Sequence, residues 1–207
     1  LFLTTSVDPN VLFNMSVETP MGGAAYTDQP DPNTGCAGRT NDGGTVGICY
    51  FPNQEYLGYF DPKKCYDYSA ANTRFEPSNN LTNANHECSS QFSGNFLNWA
   101  SMTAMNMFVW TMTGGNRVVD GADNVTVIRR TRKQNVNSWF PHKLISATHN
   151  VAPSTVTPWS DSKIYIYNTD FGIQFGTSFN GSQKGTYEAM VRVCDKNRQL
   201  EANCVPY

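Results

Sequence analysis

Charge is scarce in this chain of 207 residues: Asp, Glu, Lys and Arg make up only 15% of it, and the formal net charge is -2. With a sequence pI near 5.9, the chain lacks the basic footprint of a nucleic-acid binder. Histidine is rarer still. His86, His142 and His149 are the three present, and no two share a ligand spacing such as i, i+4. Sequence patterns of the common catalytic families, G-x-S-x-G, Walker A, GxGxxG and H-E-x-x-H, are missing, so no nucleophile or base is announced and no enzyme is expected. The six cysteines, Cys36, Cys49, Cys65, Cys88, Cys194 and Cys204, contain no C-x-x-C pair, which argues against zinc. Neither an initiator Met nor a basic-apolar leader opens the chain, which therefore reads as mature or trimmed material.

What remains is polar without being charged. Asn alone fills 22 positions and aromatics reach 13%, a composition closer to a secreted surface protein than to a cytosolic enzyme. An even cysteine count then reads as disulfides formed in an oxidising compartment. Six cysteines allow about 15 full pairings. The sequential set Cys36–Cys49, Cys65–Cys88 and Cys194–Cys204 is preferred because each bridge closes a short, loop-like segment.

The organising stretch is Phe92 to Arg117, set in a gap from Glu87 to Arg117 that holds no charged residue. Leu97, Ala100, Ala104 and Phe108 fall on one helical line, and Trp99, Met102, Met105 and Val109 on the next. Asn98, Ser101 and Asn106 form the thin polar seam. The spacing predicts one buried helix over Asn95–Met112, capped by Ser93 and stopped by Gly114-Gly115. Its length invites a membrane-spanning reading, but Asn95, Asn98 and Asn106 sit badly in lipid and no flanking basic bias is present.

Before this helix, Val11-Leu12-Phe13 is a continuous apolar run, expected as part of a central strand over Val11–Ser16. Residues 20–91 are rich in Gly, Pro, Asn and Asp and read as a loop-rich insertion stapled by disulfides. The aromatics that stud it, Tyr56, Tyr59, Phe60, Tyr66 and Tyr68 among them, fit either a satellite core or an exposed recognition surface. After the helix, Asn124 to Arg132 alternates like a strand. Its cluster Arg129, Arg130, Arg132 and Lys133 reads as a solvated edge, or as a surface for an acidic partner or anionic glycan. Residues 146–163 read as loop. Lys163–Tyr167 and Phe171–Phe175 are expected to form a hairpin around Asn168-Thr169-Asp170, and Tyr187–Cys194 a further strand.

The end of the first strand carries Asn14, Ser16 and Glu18. Asp-x-Ser-x-Ser in that place, followed by a buried helix, is the metal-ion-dependent adhesion site of von Willebrand factor A domains, where oxygen ligands hold a hard cation. Here the leading carboxylate is a neutral amide, so no divalent cation and no other cofactor is expected.

Several blocks together resemble the PilY-type tip adhesins of type IV pili. They are Tyr56-Leu57-Gly58-Tyr59-Phe60-Asp61-Pro62, Lys64-Cys65-Tyr66, Cys88, Phe92-Ser93-Gly94-Asn95-Phe96-Leu97-Asn98-Trp99-Ala100, Gly114-Gly115-Asn116-Arg117 with Asp120, Val191-Arg192-Val193-Cys194, and Glu201-Ala202-Asn203-Cys204. The resemblance implies an α/β fold: a von Willebrand factor A-like core with a large disulfide-stapled insertion and additional strands. It implies a periplasmic, then extracellular, protein at the pilus tip. In that family a C-terminal β-propeller follows and docks on minor pilins, so residues 1–207 are expected to be one N-terminal domain of a longer protein. The propeller's calcium site has no matching residues here and is not carried over.

Three functions follow as expectations. One is a non-catalytic adhesion and pilus-assembly module, binding a host or abiotic surface through the insertion, with Tyr56, Tyr59, Phe60, Arg129, Arg130 and Arg132 as candidate contacts. Another is a structural subunit or stabilising cap. The third, a secreted hydrolase, is disfavoured by the missing motifs.

Overall fold

Residues 19–26, 39–41, 44–120, 125–133 and 139–193 are described by the computed structural model of the chain. A 3-10 turn at Thr19–Gly22 comes first, then β1 (Arg39–Asn41), β2 (Gly44–Gly47), β3 (Lys64–Ser69), β4 (Arg74–Leu81) and β5 (Phe92–Ser93). Two helices follow, α1 (Gly94–Ser101) and α2 (Ala104–Thr113). The remainder is β6 (Arg117–Asp120), β7 (Thr126–Arg129), β8 (His142–Ser146), a 3-10 turn at Pro153–Thr155, β9 (Lys163–Asn168), β10 (Gly172–Gly176), β11 (Gly185–Glu188) and β12 (Met190–Val193). The strands make two mixed sheets, ordered β1-β2-β8-β9-β10-β11 and β5-β3-β4-β12-β7-β6. Only β2–β8 and β4–β12 are parallel among the described pairs. The architecture is α/β. The expected central strand Val11–Ser16 lies outside the described residues.

Both sheets close on α1. One apolar core joins Tyr66, Phe75, Phe92, Ile128 and Val191 of the second sheet to Ile145, Ile164, Ile166, Ile173 and Phe175 of the first, with Phe96, Leu97, Trp99 and Ala100 between them. Burying each large side chain contributes about 1.5–3 kcal/mol. A smaller cluster of Val46, Ile48, Leu144 and Tyr165 covers the other face of the first sheet, as strand alternation requires of strands buried on both sides. The chain passes from one sheet to the other at Ala189. Its N–H donates to Phe171 and its carbonyl accepts from Arg130 N–H.

The expected helix over Asn95–Met112 is two helices. Ser93 does cap the first, its hydroxyl accepting from Phe96 N–H at 3.4 Å. At Met102 and Thr103 the backbone turns extended. Thr103 then N-caps α2 in a reciprocal capping box with Asn106. The break is stabilised from outside, since Ala25 N–H donates to the Met102 carbonyl and Ala104 N–H to that of Gly23. Gly114 stops α2 with φ 80° in the left-handed region, as the Gly-Gly pair predicts.

The described residues of the stretch 20–91, read from the sequence as a loop-rich insertion, include β1 to β4 as well as irregular segments. They supply strands to both sheets and the aromatic side of the main core. The loop over 54–60 has no regular hydrogen bonding of its own; α1 supplies it. Asn95 Oδ1 accepts from Tyr56 N–H at 2.6 Å and its amide donates to the Gln54 carbonyl at 2.8 Å. Asn98 accepts from Phe60 N–H at 3.0 Å and donates to the carbonyls of Tyr56 (2.8 Å) and Phe60 (2.7 Å). Two glycines permit this contact. A Cβ on Gly58 would stand 2.3 Å from Asn98 Oδ1, and one on Gly94 2.1 Å from the Asp61 carbonyl oxygen. The Cys65–Cys88 disulfide ties β3 to the turn before β5, contributing on the order of 3 kcal/mol by the chain-entropy estimate. Cys49 is also oxidised, whereas Cys36, Cys194 and Cys204 lie outside the described residues.

Asn98→Ala strands one buried N–H and two buried carbonyls, each costing about 1–3 kcal/mol. Urea unfolding of the variant is expected to show a loss of about 3 kcal/mol or more; a loss under about 1 kcal/mol would show that the loop holds itself.

Candidate functional site

The candidate contacts expected from the sequence are mostly inside the protein. Tyr56, Tyr59 and Phe60 are buried in the main core, because Asn95 and Asn98 draw their backbone onto α1. Neither a satellite core nor a recognition surface is built from them. The Arg129–Lys133 cluster is likewise dismantled. Strand β7 is an interior strand between β12 and β6, so the edge reading fails. Arg129 lies half-buried over the Phe171 ring at 4.6 Å. Arg130 is fully buried, donating to Asn168 Oδ1 and to the carbonyls of Thr169, Gly172 (3.1 Å) and Ser101 (3.4 Å). Desolvation lowers its pKa to about 9, so it stays cationic at neutral pH. Lys133 is buried, and desolvation lowers its pKa as well. Arg132 alone is exposed, paired with Asp170 at 3.0 Å. No basic patch for an acidic partner survives there. Asn14, Ser16 and Glu18 lie outside the described residues.

Arg130 and Lys143 serve the fold. Lys143, interior on β8, donates to the carbonyls of Tyr26 (3.0 Å) and Trp99 and sits 4.4 Å over the Trp99 ring. Together with Asn168, whose amide reaches the Ala100 carbonyl at 2.9 Å, these side chains occupy the C-terminal end of α1. Cationic and amide donors are favoured at that end of a helix.

The surface best suited to contact is an aromatic seam where the two sheets meet. Tyr68 on β3, Tyr187 on β11 and Trp159 in the connection before β9 are each half-buried. Tyr68 and Tyr187 pack edge-to-face with ring centroids 4.6 Å apart. Trp159 lies 5.2 Å from Phe92 and 6.2 Å from Tyr187. The hydroxyls are held, with Tyr68 accepting from Glu188 N–H at 3.1 Å and Tyr187 donating to the Lys184 carbonyl at 2.7 Å. Burial raises both phenol pKa values, so the rings stay neutral. Lys184 and Asp161, ion-paired at 2.7 Å, stand at the rim. Rigid rings with a polar border suit stacking against a protein or sugar surface. They offer no acid, base or nucleophile. Sequence spacing could not find this seam, because its three members are far apart in the chain and only Tyr68 sits in the aromatic-studded stretch.

The histidines are dispersed. His86 Nδ1 lies 2.7 Å from the Pro52 carbonyl and Nε2 4.0 Å from Glu55; His149 is exposed. His142 is only 3% exposed, stacked on Phe179 at 4.3 Å and tilted against Tyr167 at 4.5 Å. Neither of its ring nitrogens has a hydrogen-bond partner. Desolvation, reinforced by Lys133, lowers its pKa to about 4. Among the described residues no group of three or more His, Cys, Asp or Glu is placed to hold a metal ion. No described helix is long and apolar enough to cross a membrane.

Comparison with known proteins bears on this geometry. A family model described as "PilY1 homolog, small alpha/beta domain" matches residues 48–193. Those bounds take in α1, α2 and all the strands from β3 to β12. A curated protein of Xylella fastidiosa, "Type IV pilus biogenesis factor PilY1 homolog", is 30% identical over 192 residues, which covers 76% of this chain and 15% of that protein. The chain thus spans about 15% of the length of that relative. No solved structure matches the chain.

His142 gives a pH prediction. An unfolded His titrates near the ordinary value of 6.5 and the folded one near 4, so below 6.5 the unfolded state binds more protons and stability falls with pH. Unfolding free energy is expected to drop between pH 6.5 and 4 by at most about 3 kcal/mol from this group. His142→Phe should flatten that part of the profile, and an unchanged slope would rule out His142 as its source.

Proposed function

The chain belongs to the PilY1-homolog family, and on that premise we propose that it is a non-catalytic, surface-binding domain of a type IV pilus biogenesis factor that acts as the pilus-tip adhesin. One observation carries the reading. The blocks most characteristic of the resemblance, Tyr56–Pro62 and Phe92–Ala100, are spent on locking each other inside the core. The scaffold they make presents the Tyr68–Tyr187–Trp159 seam outward. In this reading the domain works outside the cytoplasm, where a bridge such as Cys65–Cys88 persists. Minor pilins are met through the rest of a longer protein, and the seam meets a host or abiotic surface.

We infer further that the α/β fold is von Willebrand factor A-like. Its support is the uncharged Val-Leu-Phe run ending in the oxygen-bearing residues Asn14, Ser16 and Glu18. Asn14, Ser16 and Glu18 are expected to hold no divalent cation, because Asn14 keeps an oxygen but lacks the charge that offsets dehydration of the ion. Melting with excess magnesium or calcium is expected to match melting with chelator. A cation-dependent rise in Tm abolished by Asn14→Ala would reverse this.

A structural subunit or cap is the competing reading, and piliated cells separate the two. In the full-length protein, Trp159→Ala combined with Tyr187→Ala, checked for an unchanged circular dichroism spectrum, should leave pilus number intact and cut adhesion at least about 5-fold, or roughly 1 kcal/mol in contact free energy. Equal loss of pili and adhesion would favour the structural subunit.

A further inference from the structure

We propose that the ligand of the Tyr68–Tyr187–Trp159 seam is a neutral sugar, with one hexose ring lying on the Trp159 indole and its hydroxyls reaching Asp161 and Lys184. The proposal rests on the surface-binding role given above and names the chemistry that fills it. Trp159 stands on a rigid mount. The residues just before it are tied to β5 and to the disulfide turn, since Ser93 N–H donates to the Val156 carbonyl at 3.0 Å and Cys88 N–H to that of Thr155 at 2.7 Å. Trp159 N–H then donates to Thr157 Oγ1 at 3.3 Å. The rings packed on the indole meet it at an angle: Phe92 at 87°, Phe175 at 54° and Tyr187 at 54°. Among the described residues no aromatic ring lies flat on it. A half-buried indole without a flat partner, held still from beneath, suits the C–H face of a sugar ring, and little ordering is left to be done on binding.

Polar groups stand where the hydroxyls of that sugar fall. The segments carrying Trp159 and Tyr187 meet twice, through those two rings at 6.2 Å and through the Asp161–Lys184 pair at 2.7 Å. Both ionic side chains remain within reach of solvent, 28% exposed for Asp161 and 26% for Lys184. A carboxylate that accepts and an ammonium that donates, side by side, match the neighbouring hydroxyls of a hexose. Size and charge decide against other occupants. Three aromatic side chains of about 150–250 Å² each, half-buried, leave a patch of at most about 300 Å². One side of a protein interface buries roughly 800 Å², so the seam alone is too small to hold a protein. The charged groups at the seam are the carboxylates of Asp161 and the exposed Glu188 against the single ammonium of Lys184. A sialylated or sulfated glycan therefore meets no net attraction there.

The test places the full chain on a glass array of printed oligosaccharides, with neutral hexose and N-acetylhexosamine chains beside sialylated and sulfated ones. Uncoated glass and printed serum albumin serve as the abiotic and protein arms. Retention confined to neutral sugars is expected, weakened about 10-fold by Trp159→Ala. Asp161→Ala gives up only an exposed ion pair, so its circular dichroism should match the parent, and it should weaken retention by about 10-fold as well. Retention on uncoated glass or albumin equal to that on neutral sugars, preference for the anionic sugars, or no retention would each overturn the proposal. Neutral-sugar binding that survives both substitutions would do the same. The adhesin reading fails by a separate result. Sugar binding with unchanged adhesion of cells carrying Trp159→Ala and Tyr187→Ala would remove the adhesin role and keep the sugar site, whereas lost adhesion without sugar binding would do the reverse.

Discussion

The last four carbonyls of α1 point into the core, where water cannot answer them, and each finds a donor. Asn98 is met by Met102 N–H, Trp99 by Lys143, Ala100 by Asn168 and Ser101 by Arg130. A helix end buried without partners would cost a few kcal/mol per orphaned group, so this arrangement is the condition for placing α1 between two sheets. It also fixes the sheets. Lys143 comes from β8, Asn168 from the end of β9, and Arg130 follows β7 and reaches across to the β9–β10 hairpin. One helix terminus thus sets the mutual position of strands that are far apart in sequence.

Much of the local structure was legible in the sequence because its causes are local. Ser93 and Gly114 cap helices through their own chemistry, and Lys163–Tyr167 with Phe171–Phe175 forms the antiparallel pair that the alternation and the Asn-Thr-Asp turn predict. The helix break was written in the sequence as Thr103 and Asn106, but apolar periodicity runs straight through Met102 and conceals it. Tyr187–Cys194 read as one strand for a similar reason. Alternation does not register that Ala189 hands the chain from one sheet to the other.

Burial of polar groups was not legible, because its causes are distant. On a helical wheel Asn98 falls in a thin polar seam with Ser101 and Asn106, and Asn95 stands one turn before it. Asn95 and Asn98 are the clamps that hold the loop of Tyr56, Tyr59 and Phe60 against α1, with those three rings in the main core. Arg130 and Lys143 look like surface charge until the carbonyls they serve are known. Family blocks are therefore informative about architecture and nearly silent about ligands. Many of the residues by which this chain resembles its relatives, Tyr56, Tyr59, Phe60 and Phe96 to Ala100 among them, are buried, whereas the aromatic seam is assembled from positions outside those blocks.

The placement of β12 has a mechanical consequence. This strand lies inside its sheet, bonded to β4 on one side and to β7 on the other, and it follows directly from the crossing at Ala189. Tension along the chain beyond Val193 would load both ladders lengthwise, so their hydrogen bonds resist together rather than opening one at a time. The Cys65–Cys88 bridge ties β3, the neighbour of β4, to the turn before β5. Tension entering at β12 would therefore reach the second sheet first.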